Sequence, residues 1–157
     1  MFVLDASVTI AALLPEERTQ EARVVLRTAL NGVLVPVLWH LEVGNILLRA
    51  ERRGVIRADE RVGHIADLSA LPVTVDHEGT GYAWHATTVL ALRHRLTLYD
   101  AAYLELAVRQ RVRLATFDAA LVRAAATEGV AVVYTPTPPK PEGIACQPDR
   151  RRFCSHP

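Results

Sequence analysis

The amino-terminal stretch Phe2-Val3-Leu4-Asp5-Ala6-Ser7 sets the pattern for the rest of the chain. Its three apolar residues predict a short buried β-strand, and the acid that follows ends that strand. An aspartate directly after an apolar strand is poorly explained by packing, so we expect Asp5 to have a functional role. Residues from Ser7 to Leu14 have helical composition and stop at Pro15, so the strand is followed by a helix.

The same alternation of short β-rich runs and longer helical patterns continues along the chain. Strands are predicted at 2–4, 33–35, 72–75, 112–116 and 130–134, and helices at 7–14, 17–30, 37–53, 59–71, 78–95, 100–111 and 118–127. Strands that are separated by helices pair in parallel, with helices covering both faces of the sheet. We therefore predict an α/β fold, a three-layer α/β/α sandwich around a mostly parallel sheet of about five strands, over residues 1–134.

The last part of the chain, residues 135–157, has a different composition. It contains six prolines and few apolar residues. This composition predicts a flexible or extended tail, which the arginines at 150–152 make basic. Cys146, Cys154 and His156 lack the four ligands and the short spacings of a structural zinc site, so we expect free thiols there.

Length and composition exclude several classes of protein. A chain of 157 residues that is 50% hydrophobic is expected to form one domain with a sizeable core. Two cysteines cannot build a disulfide scaffold, and no apolar run is long enough to span a bilayer. The amino terminus has no basic region before its apolar stretch, so we expect no signal peptide and a cytoplasmic protein. The net charge of +1 argues at first against a nucleic-acid partner.

Four acids occupy marked positions: Asp5, Glu42, Asp100 and Asp118. Asp5 and Asp118 each follow a predicted strand, and ligand sites of α/β proteins form beyond the carboxyl ends of the strands. Asp100 begins a predicted helix, which can start at the same edge. Glu42 lies among apolar residues of a helix, where a carboxylate is costly unless it is paired or binds a metal. Asp100 and Asp118 could equally be helix N-caps, and Glu42 could pair with an arginine.

Convergence of these four carboxylates would call for a cation. Their mutual repulsion would raise their pKa values, and a hard divalent ion would relieve it. Oxygen ligands suit Mg²⁺ or Mn²⁺ rather than zinc, and such ions serve phosphate chemistry by activating water and neutralising charge. Asn45 and Arg49 share the helical face of Glu42, so Arg49 is a candidate for contacting a substrate.

Four short motifs stand in a regular order along the chain. They are Asp5-Ala6-Ser7, Glu42-Val43-Gly44-Asn45, Tyr99-Asp100-Ala101-Ala102-Tyr103 and Thr116-Phe117-Asp118-Ala119-Ala120-Leu121. Their order, their spacing and the surrounding strand–helix rhythm resemble those of PIN-domain nucleases. The pattern is most similar to VapC-type toxins of toxin–antitoxin modules, and the resemblance covers residues 1–134.

This resemblance implies a PIN-like fold and a Mg²⁺- or Mn²⁺-dependent endoribonuclease. It assigns catalysis to Asp5, Glu42, Asp100 and Asp118, metal binding to Asp5, Asp100 and Asp118, and support of these acids to Ser7, Asn45 and Thr116. The implied reaction is hydrolysis of an RNA backbone that leaves a 5′-phosphate and a 3′-hydroxyl, with water activated by the metal. The implied partners are RNA, a second copy in a homodimer, and an antitoxin whose carboxy-terminal segment covers the site.

Two other functions compete with this interpretation. The first is a catalytically silent PIN-like module that binds RNA or protein, which the complete acidic quartet disfavours. The second is a receiver-like signalling domain, which needs an acid pair after the first strand and a lysine near the domain end. The chain has neither, since its single lysine is Lys140. Acids that hold a metal do not repel RNA, so the charge balance is compatible with an RNA substrate.

Overall fold

Four parallel strands form the central sheet of the computed structural model, which describes residues 1–15 and 19–133. The strands are β1 (Phe2–Leu4), β2 (Val33–Pro36), β3 (Val73–Asp76) and β4 (Arg113–Ala115), in the order β3-β2-β1-β4. Each neighbouring pair is parallel, with Leu4 opposite Ala115 and Val35 opposite Val75. The carboxyl ends of all four strands therefore meet at one edge, as the alternating pattern predicts.

Helices connect the strands and allow them to run in parallel. They are α1 (Ala6–Leu13), α2 (Thr19–Thr28), α3 (Trp39–Arg52), α4 (Ala58–Ser69), α5 (Gly79–Tyr82), α6 (Thr88–His94), α7 (Leu98–Gln110) and α8 (Ala119–Thr127). A 3₁₀ turn at Ala29–Asn31 follows α2, and a π-helical turn at Ala83–Thr87 joins α5 to α6.

The helix predicted over 78–95 is interrupted rather than continuous. The π-helical turn widens the backbone between α5 and α6, and the Thr88 hydroxyl donates to the Ala83 carbonyl at 2.8 Å. This side-chain bond spans five residues and supports the wider turn. Local helical composition does not distinguish a π turn from an α turn, so the sequence pattern did not reveal it.

The prediction of about five strands is approximate, because residues 130–134 add one bridge and no fifth strand to the described part of the chain. Leu114 pairs with Val132, donating to Ala131 O at 3.0 Å and accepting from Val133 N at 2.9 Å. Because β4 is only three residues long, it offers little edge for further pairing. Residue 134 and the predicted tail 135–157, with its cysteines, lie outside the described residues.

The core surrounds β1, whose three residues are all buried. Successive side chains of a strand point to opposite faces, so this burial means that both faces of the sheet are covered. Helix α7 packs against β1 and contributes buried Tyr103, Leu104 and Leu106. Among the helices within residues 1–15 and 19–133, none has the length and apolar character needed to cross a membrane.

Candidate functional site

Asp5 stands at the carboxyl end of β1 and is almost completely enclosed. Its backbone N–H donates to the Ala115 carbonyl at 3.0 Å, which extends the ladder between β1 and β4 and holds the residue in place. Its side chain is buried, and Oδ2 accepts hydrogen bonds from the hydroxyls of Ser7 and Thr116, the latter at 2.7 Å. The second carboxylate oxygen, Oδ1, makes no hydrogen bond within the described residues.

The environment of Asp5 opposes its ionisation. Burial raises the pKa of this carboxyl to about 6 from the ordinary 3.8, although hydrogen bonds from Ser7 and Thr116 act in the opposite direction. The negative charges of Glu42 and Asp100 also raise the pKa of Asp5. The carboxylates of Glu42 and Asp100 therefore lie near enough to Asp5 to oppose its ionisation.

Replacing Asp5 by asparagine should stabilise the metal-free protein above about pH 7. The folded pKa exceeds the unfolded one, so the folded state binds the proton more tightly, and stability falls as the pH rises from about 4 to about 6. The ionised carboxylate then costs about 3 kcal/mol, which asparagine removes. Thermal unfolding with a chelator should give a higher Tm for Asp5→Asn at about pH 8 and similar values at about pH 4.

The control for this prediction is Asp67→Asn, because Asp67 is an exposed aspartate of α4. Its Tm should follow that of the wild type at both pH values. Equal Tm values for Asp5→Asn and the wild type at about pH 8 would show that burial of the Asp5 charge costs no stability.

Ser7 and Thr116 connect Asp5 to the loop after β4. The Ser7 hydroxyl accepts from the backbone N–H of Phe117 at 3.0 Å, and the Thr116 hydroxyl accepts from that of Asp118 at 3.0 Å. Each hydroxyl thus donates to Asp5 and accepts from the loop. Both residues lie where the sequence predicts support for the acids, and they tie the end of β1 to the end of β4.

Asp118 occupies the N-cap of α8 and is exposed. Its Oδ1 accepts from the backbone N–H of Leu121 at 2.7 Å, so the capping role considered from the sequence is present. A cap needs only one carboxylate oxygen, and Oδ2 makes no hydrogen bond within the described residues. Asp118 can therefore cap the helix and still present an oxygen to a ligand.

Asp100 lies in the first turn of α7 and is half-buried. The N-cap of this helix is Thr97, whose hydroxyl accepts from the Asp100 N–H at 3.1 Å and donates to Asp100 Oδ2 at 2.7 Å. Asp100 is consequently held by the cap rather than acting as one. Its Oδ1 makes no hydrogen bond in the part of the chain that the structure describes.

Glu42 is half-buried in α3, and its partner is a tyrosine rather than an arginine. The hydroxyl of Tyr103 donates to Glu42 Oε2 at 2.7 Å. Burial raises the pKa of Tyr103 far above its ordinary value, and the charges of Asp5 and Glu42 raise it further, so this hydroxyl remains a donor. The sequence offered one clue to this contact, since Tyr103 follows Asp100 by three residues and shares its helical face.

A cleft of about 460 Å³ opens beside Glu42. It is lined by Leu38, Leu41, Glu42, Asn45, Ile46, Arg49 and Tyr99. Asn45 and Arg49 are exposed and lie one and two turns after Glu42, on the face that their spacing predicts. Within residues 1–15 and 19–133, Arg49 has no acidic partner, so its guanidinium is available to a ligand.

The predicted acids share one edge but do not form a closed cluster. Over the described ranges, no group of three or more Asp, Glu, His or Cys side chains could hold a metal ion in its present arrangement. Asp5, Asp100 and Asp118 nevertheless share a feature, since one oxygen of each is held by the protein and the other makes no hydrogen bond in the described residues. These carboxylate oxygens form the donor set that Mg²⁺ or Mn²⁺ prefers.

Comparison with known proteins adds independent findings. A protein-family model described as PIN domain matches residues 2–127. Ribonuclease VapC3 of Pyrobaculum aerophilum is 32% identical over 116 residues, which make up 74% of this chain and 88% of that protein. A crystal structure of PAE2754 from Pyrobaculum aerophilum aligns with a TM-score of 0.61 at 23% identity, over 84% of this chain and 83% of that chain. The structural likeness concerns the fold alone.

Proposed function

The chain belongs to the PIN-domain family, and we propose that it is a Mg²⁺- or Mn²⁺-dependent endoribonuclease that acts as the toxin of a toxin–antitoxin module. One observation carries the nuclease proposal: buried Asp5 is held between Ser7 and Thr116 and is close enough to Glu42 and Asp100 to feel their charges. Similarity to a protein named Ribonuclease VapC3 supports the choice of RNA and of the toxin role.

The carboxylates at this edge supply the type of donor atom that a hard divalent cation prefers, although they are not arranged around one in this structure. Asp5, Asp100 and Asp118 would hold it through the oxygens that lack hydrogen bonds, while the protein anchors the other oxygen of each. A cation would also relieve the repulsion that raises the pKa of Asp5. When bound, the ion would lower the pKa of a water molecule and neutralise charge on the scissile phosphate.

The remaining site residues position the acids and the substrate. Tyr103 donates to Glu42 and so orients its carboxylate toward the edge of the sheet. Ser7 and Thr116 hold Asp5, and we assign Asn45 a supporting role at the same cleft. Arg49, exposed in that cleft, would contact a backbone phosphate of the RNA.

The test of the nuclease proposal is cleavage of total RNA with mapped ends. We expect cleavage with Mg²⁺ or Mn²⁺, none with a chelator, and products that carry a 5′-phosphate and a 3′-hydroxyl. Asp100→Asn should lower the rate by at least about 100-fold, since it removes one charge from the metal site, whereas the exposed control Asp67→Asn should cleave like the wild type. Equal cleavage by the wild type and Asp100→Asn, or with and without metal, would refute the assignment.

We propose two protein partners, a cognate antitoxin and a second copy of the chain. We also propose that the protein acts in the cytoplasm. Large apolar side chains are exposed on several helices, including Leu41 at 78%, Trp84 at 88% and Leu92 at 76%. Exposed apolar surface of this kind is typical of interaction sites. Light scattering behind size exclusion should give a dimer, and co-expression with a small protein encoded next to this one should suppress RNA cleavage. A monomer in solution would contradict the proposed homodimer. RNA cleavage that the co-expressed protein does not suppress would contradict its role as the antitoxin.

A catalytically silent PIN-like binding module is the second candidate function. It is favoured by the lack, within the described residues, of three side chains already arranged to hold a metal. The same cleavage experiment separates the two functions. RNA that is bound but not cut in the presence of Mg²⁺ or Mn²⁺ would support the silent module.

A further inference from the structure

A basic pocket separate from the cleft lies between the end of α6 and one face of α8. Its volume is about 260 Å³. It is lined by Arg93, His94, Arg95, Ala120, Arg123, Ala124 and Thr127. Three arginines therefore line a space that is large enough for one small anionic group.

The acid at this pocket is already neutralised. Glu128 accepts from Arg93 Nη1 at 2.7 Å and contacts His94 Nε2 at 2.7 Å. The hydrogen bonds with His94 and Arg93 hold the pKa of Glu128 below its ordinary value. Arg95 and Arg123 are exposed and have no acidic partner within residues 1–15 and 19–133. Two positive charges at the pocket are thus uncompensated.

Arg95 is held in an unusual backbone conformation. It lies just after the last residue of α6 with φ 54° and ψ 39°, and its N–H donates to the Ala91 carbonyl. Glycine is the usual residue at such a helix end, because a side chain is disfavoured in this left-handed region. The conformation turns the chain at the pocket and fixes the point from which the guanidinium extends.

The pocket follows one face of α8 from its first turn to its end. Ala120 lies in the first turn of this helix, two residues after its N-cap Asp118, and Thr127 is its last residue. On the other wall, Arg95 precedes Asp100 by five residues. The pocket shares none of its lining residues with the cleft that contains Arg49.

We propose that this pocket binds a backbone phosphate of a nucleic-acid strand through Arg95 and Arg123. The guanidinium group is suited to phosphate because its planar donors match two phosphate oxygens. A contact to phosphate positions the strand without reading its sequence. The identity of the strand as RNA substrate rests on the proposed nuclease function, whereas the phosphate chemistry follows from the pocket.

The structure offers a matched control for Arg95. Arg111 is also exposed, follows the last residue of a helix, and has φ 54° and ψ 41°. It lies at the opposite edge of the sheet, before β4, whose first residue Arg113 pairs with Phe2 at the start of β1. Arg95→Gly and Arg111→Gly each remove one charge and relieve one left-handed residue, so both variants should fold. Only Arg95→Gly should weaken phosphate binding.

The measurement is fluorescence anisotropy of a labelled single-stranded RNA of mixed sequence, in a chelator, over a range of salt concentrations. We expect the double variant Arg95→Gly/Arg123→Gln to bind about tenfold more weakly at moderate salt. Its plot of log affinity against log salt should be shallower by about 1.4, or about 0.7 for each lost contact. Arg111→Gly should match the wild type. Unchanged affinity and slope in the double variant would overturn the proposal that the pocket binds phosphate. An equal loss of RNA affinity in Arg111→Gly would also overturn it.

Cleavage by the same variants separates this proposal from the nuclease proposal. If the wild type cleaves RNA with Mg²⁺ and the double variant raises KM with little change in kcat, both proposals are supported. If the wild type cleaves RNA but the double variant binds RNA normally, the phosphate-binding proposal is wrong and the nuclease proposal is supported. If the wild type does not cleave RNA but the double variant alone loses affinity for RNA, the phosphate-binding proposal is supported and the nuclease proposal is wrong.

Discussion

Replacing Asp5 by asparagine should lower RNA cleavage by about 1000-fold or more and leave the fold intact. Asparagine has the size of aspartate, and its amide oxygen can accept the hydrogen bonds that Ser7 and Thr116 donate to one carboxylate oxygen. The variant loses only the negative charge. That charge is enclosed and close to Glu42 and Asp100, so its removal should weaken cation binding and charge stabilisation together.

Two comparisons make this prediction specific. Thr116→Val removes one hydroxyl that orients Asp5 and should cost about 10- to 100-fold, since it changes the support rather than the charge. The exposed control Asp67→Asn should keep wild-type activity. Because Asp5→Asn is expected to be more stable than the metal-free wild type above about pH 7, its inactivity cannot be ascribed to unfolding. Cleavage by Asp5→Asn within about tenfold of the wild type would exclude Asp5 from catalysis.

A second large effect is expected at Arg109, which joins three elements through one guanidinium group. Its Nη2 donates to Asp76 at 2.6 Å, its Nε to Glu105 at 2.8 Å and its Nη1 to Glu78 at 3.3 Å. The guanidinium carbon also lies 4.7 Å from the centre of the Tyr82 ring. Burial acts to lower the pKa of Arg109, but hydrogen bonds to Glu105 and Asp76 raise it above its ordinary value. The group therefore stays charged.

Arg109→Ala should destabilise the protein by about 3–5 kcal/mol. The change leaves Asp76 and Glu105 without their counter-charge, and their side chains are only 7% and 5% exposed. A buried carboxylate that loses its partner costs much more than the pair contributes when intact. Urea unfolding at about pH 7 measures the loss.

The control for Arg109 is an arginine whose ion pair is exposed. Arg57 contacts Asp59 at 2.7 Å, but their side chains are 71% and 69% exposed. Solvent screens such a pair, so Arg57→Ala should leave the unfolding free energy nearly unchanged. If Arg109→Ala and Arg57→Ala had similarly small effects, the buried network would not be a source of stability.

Much of the architecture could be predicted from local pattern. The strands near residues 2–4, 33–36, 73–76 and 113–115 were predicted to within two residues, and their parallel pairing follows from the helices between them. Short apolar runs and helical periodicity depend only on residues that are neighbours in the chain, so they can be recognised without knowledge of tertiary contacts. The prediction was less accurate where pairing partners decide the outcome, as at residues 130–133, where the described part of the chain has one bridge, at Val132.

The position of Asp5 was also determined by the sequence alone. An acid that ends a buried parallel strand must lie at the carboxyl edge of the sheet, whatever the details of packing. The same argument placed Asp118 at that edge, and periodicity placed Arg49 on the face of Glu42. These inferences need only the direction of a strand or the rotation of a helix.

Only the tertiary structure decided which distant groups touch. Tyr103 contacts Glu42, 61 residues away in the chain, and Arg109 contacts Asp76, 33 residues away, while Arg95 and Arg123 line the same pocket. Such contacts depend on how helices pack against the sheet and on each other, and periodicity carries no information about the distance between two helices. The sequence therefore determined the fold class and the edge that carries the acids, while packing determined their partners and formed the pocket that the arginines line.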